Sequence, residues 1–220
     1  LIYLNMDRFN EIVKIPVDNK LLEGELIIPE KAESVIIFCH GSGSSRFSPR
    51  NRAVASKLRE HNFGTLLFDL LTKEEDAADY YTRFNIQLLG NRLIDVTKWL
   101  DNLLHADHCK LGYFGASTGA AAALSAAAAL PQIHAIVSRG GRPDLAADVL
   151  SKITAPTLLI VGSLDHDVIA CNRFAYERLQ GPKKLLIIEG AGHLFEEGNA
   201  MDKVAEDAVR WFNLYLQVRT

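Results

Sequence analysis

Apolar residues follow one another along this chain in two rhythms. Residues 11–17 (EIVKIPV) and 21–29 (LLEGELIIP) interleave apolar and polar positions and are parted by Asp18, Asn19 and Lys20. A polar step of that kind suits a tight turn, so the pair predicts an antiparallel hairpin. Beyond it the apolar residues come in unbroken runs, at 35–39 (VIIFC), 65–68 (TLLF), 111–114 (LGYF), 135–137, 157–161 (TLLIV) and 185–188 (LLII). Short continuous runs suit strands covered on both faces. Segments of helical length lie between them, at 50–60, 85–104, 117–130, 168–179 and 201–216. Strands alternating with helices build a mostly parallel sheet with helices on both faces, so the expected fold is α/β with an N-terminal antiparallel hairpin. Punctuation agrees with this pattern: Pro156 precedes a run, and Gly115, Gly162 and Gly190 follow one.

No internal repeat, low-complexity linker or charge block marks a boundary, so residues 1–220 are expected to form a single domain. Residues 1–10 are set apart as a leader or as sequence foreign to the domain, because the first methionine is Met6. The longest apolar stretch, 120–130, is shorter than the roughly 20 residues a membrane-spanning helix needs, and is expected to be a buried helix. A net charge of -3 offers no general attraction to nucleic acid or to anionic membranes, and neither is expected as a partner. The three cysteines, Cys39, Cys109 and Cys171, show no C-x-x-C spacing. That argues against a disulfide framework or a cysteine zinc site and points to a reducing compartment, the cytoplasm, with no signal peptide in view.

The strongest chemical signal is Gly115-Ala116-Ser117-Thr118-Gly119, a G-x-S-x-G between a strand and an alanine-rich helix. A serine on such a sharp turn is projected from the sheet edge, and small neighbours relieve the crowding. The N-terminal N–H groups of the following helix favour negative charge beside it. Serine needs a base, and the base needs a group to orient it. Asp165 follows the run at 157–161, and His193 follows the run at 185–188 on a glycine-rich loop (EGAGH). Both belong at the C-terminal edge of the sheet, where sites form in open α/β folds. Asp167, two residues on, competes with Asp165, and His166 is expected to be an exposed neighbour. A further run of small residues, His40-Gly41-Ser42-Gly43-Ser44-Ser45, could turn several N–H groups toward one point, and it lacks the G-K-[ST] ending of a nucleotide-binding loop.

These four motifs, in this order, resemble those of the α/β-hydrolases, and within them the small dienelactone-hydrolase-like group, over nearly the whole chain. The resemblance implies a Ser117–Asp165–His193 triad and an oxyanion hole formed by the backbone N–H groups of Thr118 and, by position, Ser42. It also implies hydrolysis of small carboxylic esters through an acyl-enzyme, with no cofactor or metal. One departure is plain: dienelactone hydrolases proper use a cysteine nucleophile, and this elbow carries Ser117. A ligand-binding or receptor-like protein with little turnover, an acyltransferase and a C–C bond hydrolase share the framework. Only about twenty residues separate Val137 from Thr157, so no large cap is expected, and residues 74–81 (EEDAADYY) are the place for a short flap over a shallow pocket.

Other polar residues carry alternatives. Arg46 and Arg139 are placed near the site edge and are expected to hold a negative charge on the substrate; the competing roles are a surface pair of Arg139 or Arg142 with Asp144 or Asp148, and a solvated basic face of Arg46, Arg50 and Arg52. Asp69 ends a strand near the site, where a structural hydrogen bond competes with substrate contact. His105, Asp107, His108 and Cys109 are expected to form a solvated turn rather than a metal site, and Cys39 to be a small buried hydrophobe.

Overall fold

The computed structural model describes residues 7–104 and 109–217. One eight-stranded sheet organises them, built from β1 (Asp7–Val17), β2 (Lys20–Pro29), β3 (Ser34–Cys39), β4 (Gly64–Phe68), β5 (Lys110–Ala116), β6 (Ile133–Arg139), β7 (Thr157–Gly162) and β8 (Lys183–Ile188). The spatial order is β1-β2-β4-β3-β5-β6-β7-β8. β1 and β2 pair antiparallel, β2 runs antiparallel to β4, and every other neighbour is parallel. The expected hairpin is present, with Val17 opposite Lys20 across its turn. It begins earlier than the interleaved pattern suggested: Phe9 faces Ile28, Asn10 faces Ile27, and Phe9 packs against the core. Residues 7–10 therefore belong to the domain and are not an appendage.

The helices are α1 (Pro49–Glu60), α2 (Lys73–Ala78), α3 (Ile86–Leu103), α4 (Thr118–Ala129), α5 (His166–Arg178) and α6 (Ala200–Leu216). Successive strand residues point to opposite faces. Ile36 and Phe38 of β3 accordingly join the apolar layer under α1 and α6, whereas Ile37 and Cys39 join the layer under α3 and α4. All four are buried, which is why the run is unbroken in sequence. Each large side chain so buried contributes about 1.5–3 kcal/mol. Tyr113 of β5 is fully buried and spends its hydroxyl on Thr97 Oγ1 of α3 at 2.7 Å, so that burial leaves no polar atom bare.

The segment after β4 folds into α2 and a 3-10 turn, Tyr80–Phe84, where only a flap was expected. α2 has no buried residue, so no apolar stripe announced it. Its signal is Thr72-x-x-Glu75: the threonine side chain accepts the Glu75 N–H, and the Glu75 carboxylate accepts the Thr72 N–H, a capping box. Glu75 also grips Arg92 of α3, whose guanidinium holds that carboxyl down at about 2. Between β6 and β7 the chain makes only two short 3-10 turns, Pro143–Ala146 and Leu150–Lys152, and no large cap. Among the described residues, no helix is long and apolar enough to cross a membrane.

Candidate active site

β5 ends at Ala116 and α4 begins at Thr118, so Ser117 alone makes the turn between them, at φ 51° and ψ −122°. A left-handed φ on a non-glycine residue costs on the order of 1–3 kcal/mol and persists only where the surroundings impose it. Here the end of β6 imposes it. The Ser117 N–H donates to Arg139 O at 3.2 Å, and the Ser117 carbonyl accepts the N–H groups of Ala120 and Arg142, each at 3.1 Å. The two glycines of the motif are steric requirements. A Cβ on Gly119 would lie 2.2 Å from Cys39 O, and one on Gly115 would lie 2.5 Å from Ala120 Cα.

His193 lies on the loop after β8, and its Nδ1 is 2.6 Å from Asp165 Oδ2. Asp165 occupies the N-cap position of α5 yet makes no capping hydrogen bond, because its carboxylate is turned to the imidazole. Asp167 and His166 are exposed in the first turn of the same helix, so the histidine is paired with Asp165 and not with Asp167. The loop is tied at several points: Gly190 N–H donates to Ser163 Oγ at 2.8 Å, Leu164 N–H to Ala191 O at 3.0 Å, and Gly192 N–H to Glu197 Oε2 at 3.0 Å. A Cβ on Gly140 would lie 3.5 Å from His193 Cε1, and the preceding residue, Arg139, bonds Ser117 through its carbonyl. Consecutive residues at the end of β6 thus lie against the serine and the histidine.

The loop after β3 packs directly on the elbow, where a Cβ on Gly41 would lie 3.0 Å from Ser117 Cβ. Ser42 and Thr118 are brought together, as the resemblance implied, but the Ser42 N–H donates to the Thr118 hydroxyl at 2.8 Å. Nothing in the sequence distinguished that side-chain contact from a pair of converging amides. His40 fastens the base of the loop. Leu70 N–H donates to its Nε2 at 3.1 Å, so Nδ1 carries the proton and donates to Gly41 O at 3.0 Å. Burial is the main influence on this imidazole and lowers its pKa, favouring the neutral form that the Leu70 bond requires.

A lowered pKa in the folded chain means that the unfolded chain takes up the proton first. The His40 contribution to stability is therefore complete above about pH 6.5, the unperturbed value, and is lost as pH falls toward the folded one. Urea midpoints measured at pH 7 and pH 5 should fall more steeply for the wild type than for His40→Gln. Equal slopes would show that this histidine is not linked to folding.

Arg46 borders the cavity beside the elbow, but protein carboxylates engage its guanidinium. It is only 9% exposed, its guanidinium is paired with Asp69 and, at 2.7 Å, with Glu23, and its own N–H donates to Asp69 Oδ1 at 2.8 Å. Protein carboxylates therefore occupy its Nη1 and Nη2, where a substrate charge was expected from its position, and Asp69 has the structural role. Arg139 is also buried. Its Nη2 is 3.4 Å from Asn51 Oδ1, its guanidinium lies 5.9 Å from the centre of the Phe195 ring, and it has no carboxylate partner among the described residues. Burial, reinforced by Arg50, lowers it to about 10. Arg142 makes the expected pair with Asp144, at 2.7 Å. Cys39 is buried, as expected, and Cys109 packs against the core. His105, Asp107 and His108 lie outside the described residues.

Beside the elbow, a cavity of about 210 Å³ opens between the Gly41–Ser45 loop, the residues after β4, and the flap of α2 and its 3-10 turn. Leu70, Leu71 and Leu89 give it an apolar side, Ser42 and Thr118 stand in its wall, and Arg46, Asp69 and Arg83 border it. Arg83 on the flap is paired with Asp76 and lies over Gly43, with Nη1 3.7 Å from where a Cβ would be.

Comparison with known proteins agrees with this geometry. The solved structure of a dienelactone hydrolase from Anabaena variabilis superposes with a TM-score of 0.91 at 51% identity, covering 95% of this chain and 99% of that one. An esterase of Pyrococcus furiosus, at 18% identity, shares the fold with a TM-score of 0.77 over 95% of this chain and 94% of its own. A Mycobacterium tuberculosis protein provisionally named a phosphoribosyl transferase is 48% identical over 204 residues, which are 92% of this chain and 46% of that protein. The chain thus spans about half the length of that relative. Residues 22–217 match the dienelactone hydrolase family, and with the elbow, the paired histidine and the uncapped sheet in place, the chain belongs to that family of α/β-hydrolases.

Proposed function

We propose that this protein hydrolyses small carboxylic esters through an acyl-enzyme, with Ser117 as nucleophile, His193 as general base and Asp165 as the group that orients the imidazole. The observation that carries the proposal is the 2.6 Å contact between His193 Nδ1 and Asp165 Oδ2, made beside a serine held at a left-handed φ. In this mechanism Ser117 Oγ adds to the ester carbonyl while its proton passes to His193 Nε2. Collapse of the tetrahedral adduct expels the alcohol, which takes that proton. Water, activated by the same imidazole, then releases the acid. Asp165 stays ionised throughout and supports the imidazolium.

The acyl group is assigned to the cavity beside Ser42 and Thr118. A dry cavity of about 150 Å³ admits benzene, so about 210 Å³ accommodates a single ring or a short branched chain. Hydrolysis is favoured over the phosphoribosyl transfer in the relative's name, because a serine elbow and a carboxylate-bound histidine suit acyl transfer to water, and that name belongs to a protein of which this chain spans less than half.

The test is covalent. A fluorophosphonate probe should label Ser117, as mapped by peptide mass spectrometry, and Ser117→Ala should lose the label while melting at an unchanged temperature. Label on a different serine would overturn the assignment. A panel of small acyl esters, thioesters and amides would then define the bond cleaved.

A further inference from the structure

The contact between Ser42 and Thr118 has a chemical implication that a pair of converging amides would not have. A hydroxyl has one proton to donate and two lone pairs to accept with. In Thr118 one lone pair takes the Ser42 N–H at 2.8 Å, and no acceptor for the proton occurs among the described residues. Thr97 shows the contrasting case: lying mid-helix, its hydroxyl contacts Leu93 O at 2.6 Å and Tyr113 Oη at 2.7 Å. Thr118 is the first residue of α4, where no preceding helical turn supplies a carbonyl. Its side chain instead stands in the wall of the cavity beside Ser117, together with Ser42.

We propose that the Thr118 hydroxyl is itself an oxyanion donor. The inference rests on Ser117 being the nucleophile. When Ser117 Oγ adds to the ester carbonyl, the π electrons of the C=O bond move onto its oxygen, and that oxygen receives hydrogen bonds from the Thr118 N–H and the Thr118 O–H. No proton leaves Thr118: the serine proton goes to His193, and re-formation of the C=O bond expels the alcohol, which collects it. The Ser42 amide acts one bond further back. By donating to the Thr118 oxygen it fixes the hydroxyl rotor and polarises its O–H, since hydrogen bonds in series strengthen one another. Ser42 is then a positioning residue, and Thr118 contributes two donors from one residue. Such donors act mainly on the transition state, because the charge they meet develops there.

Thr118→Val keeps the branched shape and removes the proton, and Thr118→Ser keeps the proton. On a neutral ester whose acyl group fits the cavity, Thr118→Val should lower kcat by about 10² to 10³, the usual loss for one oxyanion donor, with KM changed less than about threefold; Thr118→Ser should stay within about tenfold of wild type. A second readout compares an ester with its thionoester, whose sulfur accepts hydrogen bonds poorly. The preference for oxygen should shrink in Thr118→Val, which a merely structural threonine would not cause. Should the valine variant not fold, Thr118→Ala carries the same expectation, in a helix whose residues 120–123 are all alanines. A kcat equal to or above wild type in Thr118→Val would overturn the proposal, since it would mean that the Ser42 amide, once released, meets the oxyanion directly. Fluorophosphonate labelling separates the two levels: wild type unlabelled at Ser117 removes the nucleophile assignment and this inference with it, whereas labelled wild type with an undiminished valine variant removes this inference alone.

Discussion

Asp165→Asn should lower kcat on small esters by about 10⁴, as loss of the carboxylate does in other triads, while Asp167→Asn stays within about threefold of wild type. The two residues are two positions apart at the start of α5, so the comparison isolates geometry from sequence neighbourhood. Asp165 is 15% exposed and 2.6 Å from His193 Nδ1; Asp167 faces solvent. An asparagine at 165 offers an N–H where the carboxylate accepted one, which favours the wrong imidazole tautomer and leaves the transient imidazolium without a counter-charge. Asp165 makes no capping bond to α5, so its exchange should leave the melting temperature within a few degrees of wild type. Loss of activity in the Asp167 variant, or full activity in the Asp165 variant, would show that the observed pair is not the working one.

Asp69→Ala should destabilise the fold by about 3 kcal/mol, near the lower end for breaking a buried ion pair. Asp69 holds Arg46 twice, through its guanidinium and its backbone N–H, and Arg46 is buried. Removing the carboxylate strands most of that charge; Glu23, 46% exposed, is a weaker remaining partner. Arg46→Met removes the cation itself and should cost less. Chemical denaturation of the two variants measures the difference, and an Arg46→Met loss larger than that of Asp69→Ala would contradict the pairing argument. Hydrolysis of a neutral ester and of its carboxylate-bearing analogue should fall in equal proportion in Arg46→Met, because Asp69 and Glu23 already pair the guanidinium charge.

Arg46 also shows where sequence reading stopped. Its partners lie 23 residues to either side, Glu23 on β2 and Asp69 beyond β4. Their meeting depends on β2 running beside β4, an order in space that chain order does not disclose. The positions of Ser117, Asp165 and His193 at one edge were legible because each follows the C-terminal end of an apolar run, and parallel strands bring such ends together; β8, though apolar in sequence, is an edge strand with only Ile188 buried. The helix α2 was missed for the opposite reason: with no buried face it has no apolar period, and only Thr72 and Glu75, four positions in all, mark it. The Thr118 hydroxyl was invisible because a residue's identity does not tell which of its groups meets a neighbour 76 positions away.

The hairpin at the start of the sheet leaves β1 as an outer strand, with half of its backbone groups turned away from β2. Val17 and Lys20 close a two-residue turn, so Val17, Ile15 and Val13 direct their N–H groups inward, and those of Pro16, Lys14 and Ile12 would point outward. Proline has no N–H to offer, and Lys14 places a charge at the next outward position. At the far edge, β8 opens with Lys183 and Lys184. Both borders are thus poor templates for a further strand, and the sheet is guarded against growing from molecule to molecule.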